Sequence, residues 1–324
     1  MVSFIVRRLL QMVPVLLGTT LLIYLMVFAL PGEPWEGRCG ERACSPAYIA
    51  KFKEEYNLNS PVPVQYLLYL GKVLQGDLGV NFYNRPVTEE LLQRWPTTAT
   101  LALMALAFEI VIGITAGVLA GIRKGKFIDN LVTVATLVLI SIPVFVIGSL
   151  GQLVFGIKLP ELTEQLFGVR WGFPVTAVRS KTITPELVWS LVLPAIVLAS
   201  LQIAYVARLT RTSLVENLRS DYVRTAKAKG LANSRIVGVH TLRNSLVPVI
   251  TQIGIDLGSL MGGAVVTERI FNIDGIGFFL FRSITQQDGV SVVGAVVCLT
   301  LVYLLMNLIV DVLYGFLDPR ISHD

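Results

Sequence analysis

Six apolar runs dominate this chain and dictate its solvent. They lie near residues 9–30, 98–122, 131–155, 187–207, 246–266 and 290–316, each bounded by charge or by proline and glycine. A helix needs about 20 apolar residues to cross roughly 30 Å of hydrocarbon, so each window is long enough for one span. The chain is 54% hydrophobic and only 15% charged over 324 residues, whereas soluble domains carry about a quarter charged residues. The expected fold is an all-α polytopic membrane bundle of six transmembrane helices. The net charge of +5 suits an anionic lipid surface. It is not concentrated on a soluble domain, which argues against nucleic acid as a partner.

The first run follows Arg7 and Arg8, the arrangement of a signal peptide. It is too long for a typical signal core, however, and ends in Leu30-Pro31-Gly32-Glu33 without a small-x-small site, so an uncleaved first span is expected. Basic residues in short loops set orientation. Arg7 and Arg8, then Arg123, Lys124 and Lys126, then Arg208, Arg211, Arg219, Arg224, Lys227, Lys229, Arg235 and Arg243 all fall on one side of a six-span chain. That side is expected to be cytoplasmic, together with both termini, in a bacterial or archaeal cytoplasmic membrane. The loop 31–97 also carries basic residues. It is long and offset by acids from Glu33 to Glu90, and loops of that length translocate regardless of charge. Within it, SPAYIAKFKEEYNL (45–58) and VQYLLYLGKVLQ (64–75) have helical apolar spacing and predict a small outer cap, or alternatively a helix on the lipid surface. The organisation expected is an N-terminal span (1–30), an extracytoplasmic loop (31–97), a five-helix core (98–316) containing an inner loop (208–245), and a tail (317–324).

Catalytic signatures are missing. Gly125-Lys126 lacks the flanking pattern of a phosphate-binding loop, no HExxH, GxSxG or CxxC occurs, and His240 and His323 stand in different settings. No catalytic or metal site is expected. The inner loop reads instead as a mechanical element. Residues 212–229 are helix-compatible, Gly230 permits a left-handed turn, and Asn233 or Ser234 can cap a second short helix through Arg235 and Val237. Two short helices about a glycine make a rigid knob that transmits force; a basic loop that merely satisfies the charge rule is the alternative.

Arg224-Thr225-Ala226 followed by Gly230 resembles the EAA loop of ATP-binding-cassette importer permeases, and His240-Thr241-Leu242-Arg243-Asn244-Ser245-Leu246-Val247-Pro248 resembles the oligopeptide/dipeptide/nickel branch. Pro61, Gln65-Tyr66, Gly76-Asp77-Leu78-Gly79, Pro86-Val87, Glu268, Phe271, Gly275, Gly277, Asn307 to Asp311 and Leu317-Asp318-Pro319-Arg320 agree, so the resemblance covers nearly the whole chain. The first span and long outer loop look like the B-type subunit. The resemblance implies a type I importer permease fold and an importer of oligopeptides or dipeptides. It also implies a homologous C-type permease, two cytoplasmic ATP-binding subunits carrying ATP and Mg2+, and an extracytoplasmic solute-binding protein. The chain itself would hold no cofactor. Asp221, Arg224, Thr225, Ala226, Lys229, Gly230 and Leu231 would be the ATPase-coupling residues. Nickel chelates, sugars or other small solutes use the same machinery, and a non-transporting docking scaffold is the reading from another class.

The usual Glu-Ala-Ala is Arg-Thr-Ala here, as is common in the peptide branch. Asp274 stands where many relatives have proline, and Gln287 and Gly289 flank Asp288 where an Arg-Asp-Tyr run is frequent. Asp256, among Gly254, Gly258, Gly262 and Gly263, is a candidate for the translocation path or for a bond between helices; Glu109 is a second candidate, and the glycines predict close helix packing. Gly113 and Gly117 read as packing, and Asp311 as pairing with a basic residue. Cys39 and Cys44 are a disulfide candidate on the oxidising outer side, while Cys298 reads as inert packing. Trp35, Trp95, Trp171 and Trp189 fit an interfacial belt.

Overall fold

Several helices end at proline or glycine, whereas Pro14, Pro96 and Pro194 lie inside helices. The computed structural model describes residues 2–28, 34–35, 39, 44–180 and 182–317, with the side chains of residues 2–4, 263 and 313–317 left undescribed. Of the tail 317–324 expected from sequence, residues 318–324 lie outside the described residues, as does most of the stretch 29–43.

Among the described residues there are twelve helices. They are α1 Val2–Phe28, α2 Pro46–Glu55, α3 Val62–Leu74, α4 Val87–Ile122, α5 Phe127–Ser141 and α6 Val144–Phe167, then α7 Pro185–Asn217, α8 Asp221–Ala228, α9 Asn233–Ser245, α10 Val247–Ile270, α11 Ile276–Thr285 and α12 Gly289–Leu317. The only pairing of extended backbone among them is an isolated antiparallel bridge between Val80 and Pro86. Among the described residues five helices (α1, α4, α6, α7 and α12) are long and apolar enough to cross a membrane, and α9 with α10, bent by 47° at the break between them, pass the same test only when taken as a pair. The bend follows from Pro248, which lacks the N–H that would continue the helical ladder.

Three boundaries differ from the sequence reading. The window 131–155 is two helices, because Ile142 precedes Pro143 and is held extended (φ −99°, ψ 126°). The second span begins at Val87 rather than near 98, because residues 87–97 form an amphipathic first three turns with Val87, Glu90 and Leu91 buried. Asn233 and Ser234 are helical residues rather than caps; Ala232 holds the cap position of α9 without a side-chain bond.

The chain divides into two compact units. The first comprises residues 1–99, 179–183 and 272–324. In it α1 runs along α12, and Arg8 Nε lies 3.3 Å from Asp311, the pairing expected for that acid. The helices of the expected cap dock on α1 through aromatics: Tyr24 sits 5.8 Å from Tyr66 and 5.2 Å from Tyr69, ring centre to ring centre. Thr20 Oγ1 is 2.7 Å from the Tyr66 hydroxyl. Ser45 caps α2 by accepting from Tyr48 N, and Trp35 is buried beside Phe52 rather than lying in an interfacial belt. Cys39 and Cys44 form a disulfide with their Cα atoms 5.3 Å apart.

The second unit, residues 100–178 and 184–271, is built around α7, the helix with the longest run of buried residues. Gly113, Gly117 and Gly121 recur every four residues on α4 and receive α7 directly. A Cβ on Gly117 would stand 2.5 Å from both the Ala207 carbonyl oxygen and Thr210 Cβ, so only glycine fits. The Arg211 side chain on α7 forks onto Asp129 of α5, with Nη2–Oδ2 at 2.8 Å. Gly125 N donates to the same carboxylate at 2.8 Å. Together these hold Asp129 well below the usual carboxylate range, at about 2, the Arg211 hydrogen bond being the largest cause.

Candidate functional site

The loop singled out from sequence begins at the end of α7. Asn217 Nδ2 bonds back to Ser213 O at 2.9 Å, and its Oδ1 accepts from the Tyr222 hydroxyl at 3.0 Å. The last turn of α7 is thereby tied to the first turn of α8. Ser220 is extended and precedes α8, whose first turn carries Asp221, an acid where a helix N-terminus favours one.

The end of α8 is a Schellman cap. Leu231 N donates to Ala226 O at 3.3 Å, Gly230 N donates to Lys227 O at 2.9 Å, and Gly230 is left-handed at φ +74°. This cap brings the residue after the glycine back onto the helix. Leu231 accordingly packs on the buried cluster of Val223, Ala226 and Ile236. The knob expected from sequence therefore exists, with a small apolar core of its own and α9 as its base.

The seven coupling candidates separate into two groups. Ala226 is buried and Leu231 half-buried, so they hold the knob together. Asp221, Arg224, Thr225, Lys229 and Gly230 are exposed and form its outer surface. The Arg224–Asp221 contact of 3.5 Å joins two almost fully exposed side chains and adds little. Val223 and Ile236 were not singled out from sequence, although the three-residue spacing of Val223 and Ala226 and the apolar residue after Gly230 carry the signal.

Beneath the knob, α9 contains a wider π turn over Ile236–Thr241. Thr241 Oγ1 bonds to Ile236 O at 2.9 Å and Ser245 Oγ to Thr241 O at 2.8 Å; Ser245 Oγ also reaches Ser213 O of α7 at 3.4 Å. α8 is thus bonded to α7 and packed on α9, which leads into α10.

The two intramembrane acids meet. Glu109 begins a second π turn, in α4, and is fully buried within this chain. Its carboxyl group lies against that of Asp256 on α10, which also accepts from Gln252 Nε2 at 3.0 Å. One Asp256 oxygen and both Glu109 oxygens have no donor. The glycine row around Asp256 does not pack as expected at Gly262, which faces open space. Among the described residues no cluster of potential metal ligands occurs.

Residues 113–323 match the family described as binding-protein-dependent transport system inner membrane component, and residues 1–102 match the N-terminal region of such membrane components. The chain belongs to this family. Its fold is the ATP-binding-cassette type I importer permease fold, and it is a multi-pass permease of the bacterial inner membrane without an ATPase site of its own. It is 37% identical to the di/tripeptide transport system permease protein DppB of Pseudomonas aeruginosa, across all of this chain and 99% of that protein. It is 35% identical to the dipeptide transport system permease protein DppB of Escherichia coli K12, with the same coverage. The glutathione transport system permease protein GsiC of Pectobacterium atrosepticum is 32% identical over the full length of both. The resemblance to B-type oligopeptide/dipeptide permeases thus holds from end to end.

Proposed function

We propose that this chain is the B-type permease of an ATP-driven importer of short peptides. It forms the translocation path with a homologous C-type permease, takes peptide from an extracytoplasmic binding protein, and is driven by two cytoplasmic ATPases that carry ATP and Mg2+. Full-length similarity to relatives named for dipeptides, tripeptides and glutathione supports the substrate class. The structural observation that carries the coupling role is α8: a short surface helix with its own apolar core, bonded at one end to α7 and seated on α9.

In this reading α8 faces the cytoplasm. The exposed Asp221, Arg224, Thr225 and Lys229 contact an ATPase, while Ala226, Leu231 and Gly230 keep the helix stiff. Closure of the ATPases on nucleotide displaces α8, and the Ser213–Ser245 contact and the α9–α10 bend carry the displacement into the spans. The bundle is then a two-state element biased by its neighbours. Asp256 and Glu109 remain the acids proposed for the path, in a conformation where Glu109 becomes accessible.

The test is reconstitution. Proteoliposomes holding both permeases and both ATPases, supplied with binding protein and ATP, should accumulate a labelled dipeptide. Absence of uptake with an active binding protein, or failure of any ATPase to copurify, contradicts the reading.

A further inference from the structure

A polar pocket of about 250 Å³ lies in the first unit, at the N-terminal end of α4 and against α11. Its floor is Arg94. Its guanidinium is engaged on two nitrogens and one face: Nε bonds to Asp274 at 3.1 Å, Nη1 bonds to Glu90, and the group stacks on Phe279 at 5.0 Å. The rim is different. Arg282 is exposed, and its bonds are to a neutral partner, the Tyr83 hydroxyl at 3.1 Å, with the same ring 5.8 Å away. No carboxylate neutralises it among the described ion pairs, although three acids line the pocket. Arg85, also exposed, stands on the same rim. On the far side Asp274 gives one oxygen to Arg94, keeps a side chain 37% exposed, and is shared with an adjoining cleft of about 290 Å³ that Arg179 also lines.

The lining of the pocket therefore includes an unneutralised guanidinium, a partly exposed carboxylate and the aromatic rings of Tyr83, Phe278 and Phe279. Such a pair is complementary to a zwitterion. We propose that this pocket is a binding site for short peptides, in which Arg282, aided by Arg85, receives the terminal carboxylate and Asp274 the terminal ammonium. This deepens the peptide reading above and rests on it. Asp274, where many relatives have proline, then acts in ligand recognition as well as in holding Arg94.

The test uses the assembled transporter in lipid nanodiscs without binding protein. Saturation-transfer NMR is recorded with dialanine, N-acetyl-dialanine and dialanine amide. Free dialanine should bind, and each blocked form should bind about tenfold more weakly, as expected for loss of one charged hydrogen bond. Arg282→Gln should reduce dialanine to the level of its amide, and Arg282→Lys should fall between. The blocked ligands test the site without any variant. Equal binding of all three ligands, or unaltered dialanine binding in Arg282→Gln, overturns the proposal. So does a variant that weakens only attachment of the binding protein, because the rim is then a protein contact. ATP-driven uptake by the unmodified complex is measured in parallel, so failure of this site is distinguishable from failure of the importer reading.

Discussion

Replacing Gly230 separates backbone strain from side-chain crowding at the coupling helix. A Cβ placed on Gly230 meets no atom within 4 Å, so no substitution there collides with the fold. The obstacle is φ +74°, where an L-residue costs about 1–2 kcal/mol and a β-branched one more. Gly230→Ala recovers roughly 0.4–1 kcal/mol by restricting the unfolded chain, leaving a small net loss. Gly230→Asn should be nearly neutral, because asparagine visits this region readily. Gly230→Val should cost about 2 kcal/mol or more, which raises the fraction of undocked Leu231 about thirty-fold. The assay is the ratio of dipeptide imported to ATP hydrolysed in proteoliposomes, with amide exchange of residues 221–231 alongside. The ratio should fall in the order glycine, asparagine, alanine, valine, while membrane insertion is unchanged. A valine variant with the parental ratio and parental protection would refute the reasoning, since the left-handed cap would then contribute nothing to stiffness.

Three further outcomes are expected. Gly117→Ala should lower the melting temperature and lose roughly 1–3 kcal/mol, because the added carbon meets the Ala207 carbonyl on α7 rather than a movable side chain; an unchanged melting temperature would mean the two helices are not in contact. Asp129→Asn should cost about 1–3 kcal/mol at neutral pH, Arg211 being only partly buried. Because the Asp129 carboxyl is depressed from 3.8 to about 2, its contribution is complete above the ordinary value and lost as pH falls through the depressed one. The gap between parent and variant should therefore hold at pH 5–7 and close between about pH 4 and pH 2, and a gap that closes above pH 5 contradicts the pairing. Thiol labelling of unfolded, unreduced protein should modify Cys298 alone, with Cys39 and Cys44 appearing only after reductant; three labels without reductant would exclude the bond.

Local chemistry made much of this fold legible. Ser45 before an amphipathic run announced α2, and Arg-Thr-Ala with Gly230 announced the knob, because caps and left-handed turns are written in a few adjacent residues. Gly113 and Gly117 were readable as packing because a four-residue repeat marks one helix face. What failed depended on neighbours or on averaging. A hydropathy window over 131–155 passed across Pro143, whose effect on Ile142 is a single-residue event. The polar start of α4 lay outside the hydropathy window, although Glu90 and Arg94 stand at the i,i+4 spacing of a helical ion pair. Gly262 shared the spacing of a packing face yet has no neighbour in this chain. The meeting of Glu109 with Asp256, and of Arg94 with Asp274, spans well over a hundred residues and left no trace in either segment.

Disulfide crosslinking from Arg224→Cys, on the exposed face of α8, to single cysteines on the ATPase surface addresses the coupling role most directly. It should be done in inside-out vesicles of the complete transporter. Position 224 should link to an ATPase, be reached by an impermeant thiol reagent only from the cytoplasmic side, and change its yield between nucleotide-free and ATP-bound states. Labelling from the outer side, or a yield indifferent to nucleotide, would contradict a force-bearing role for this helix.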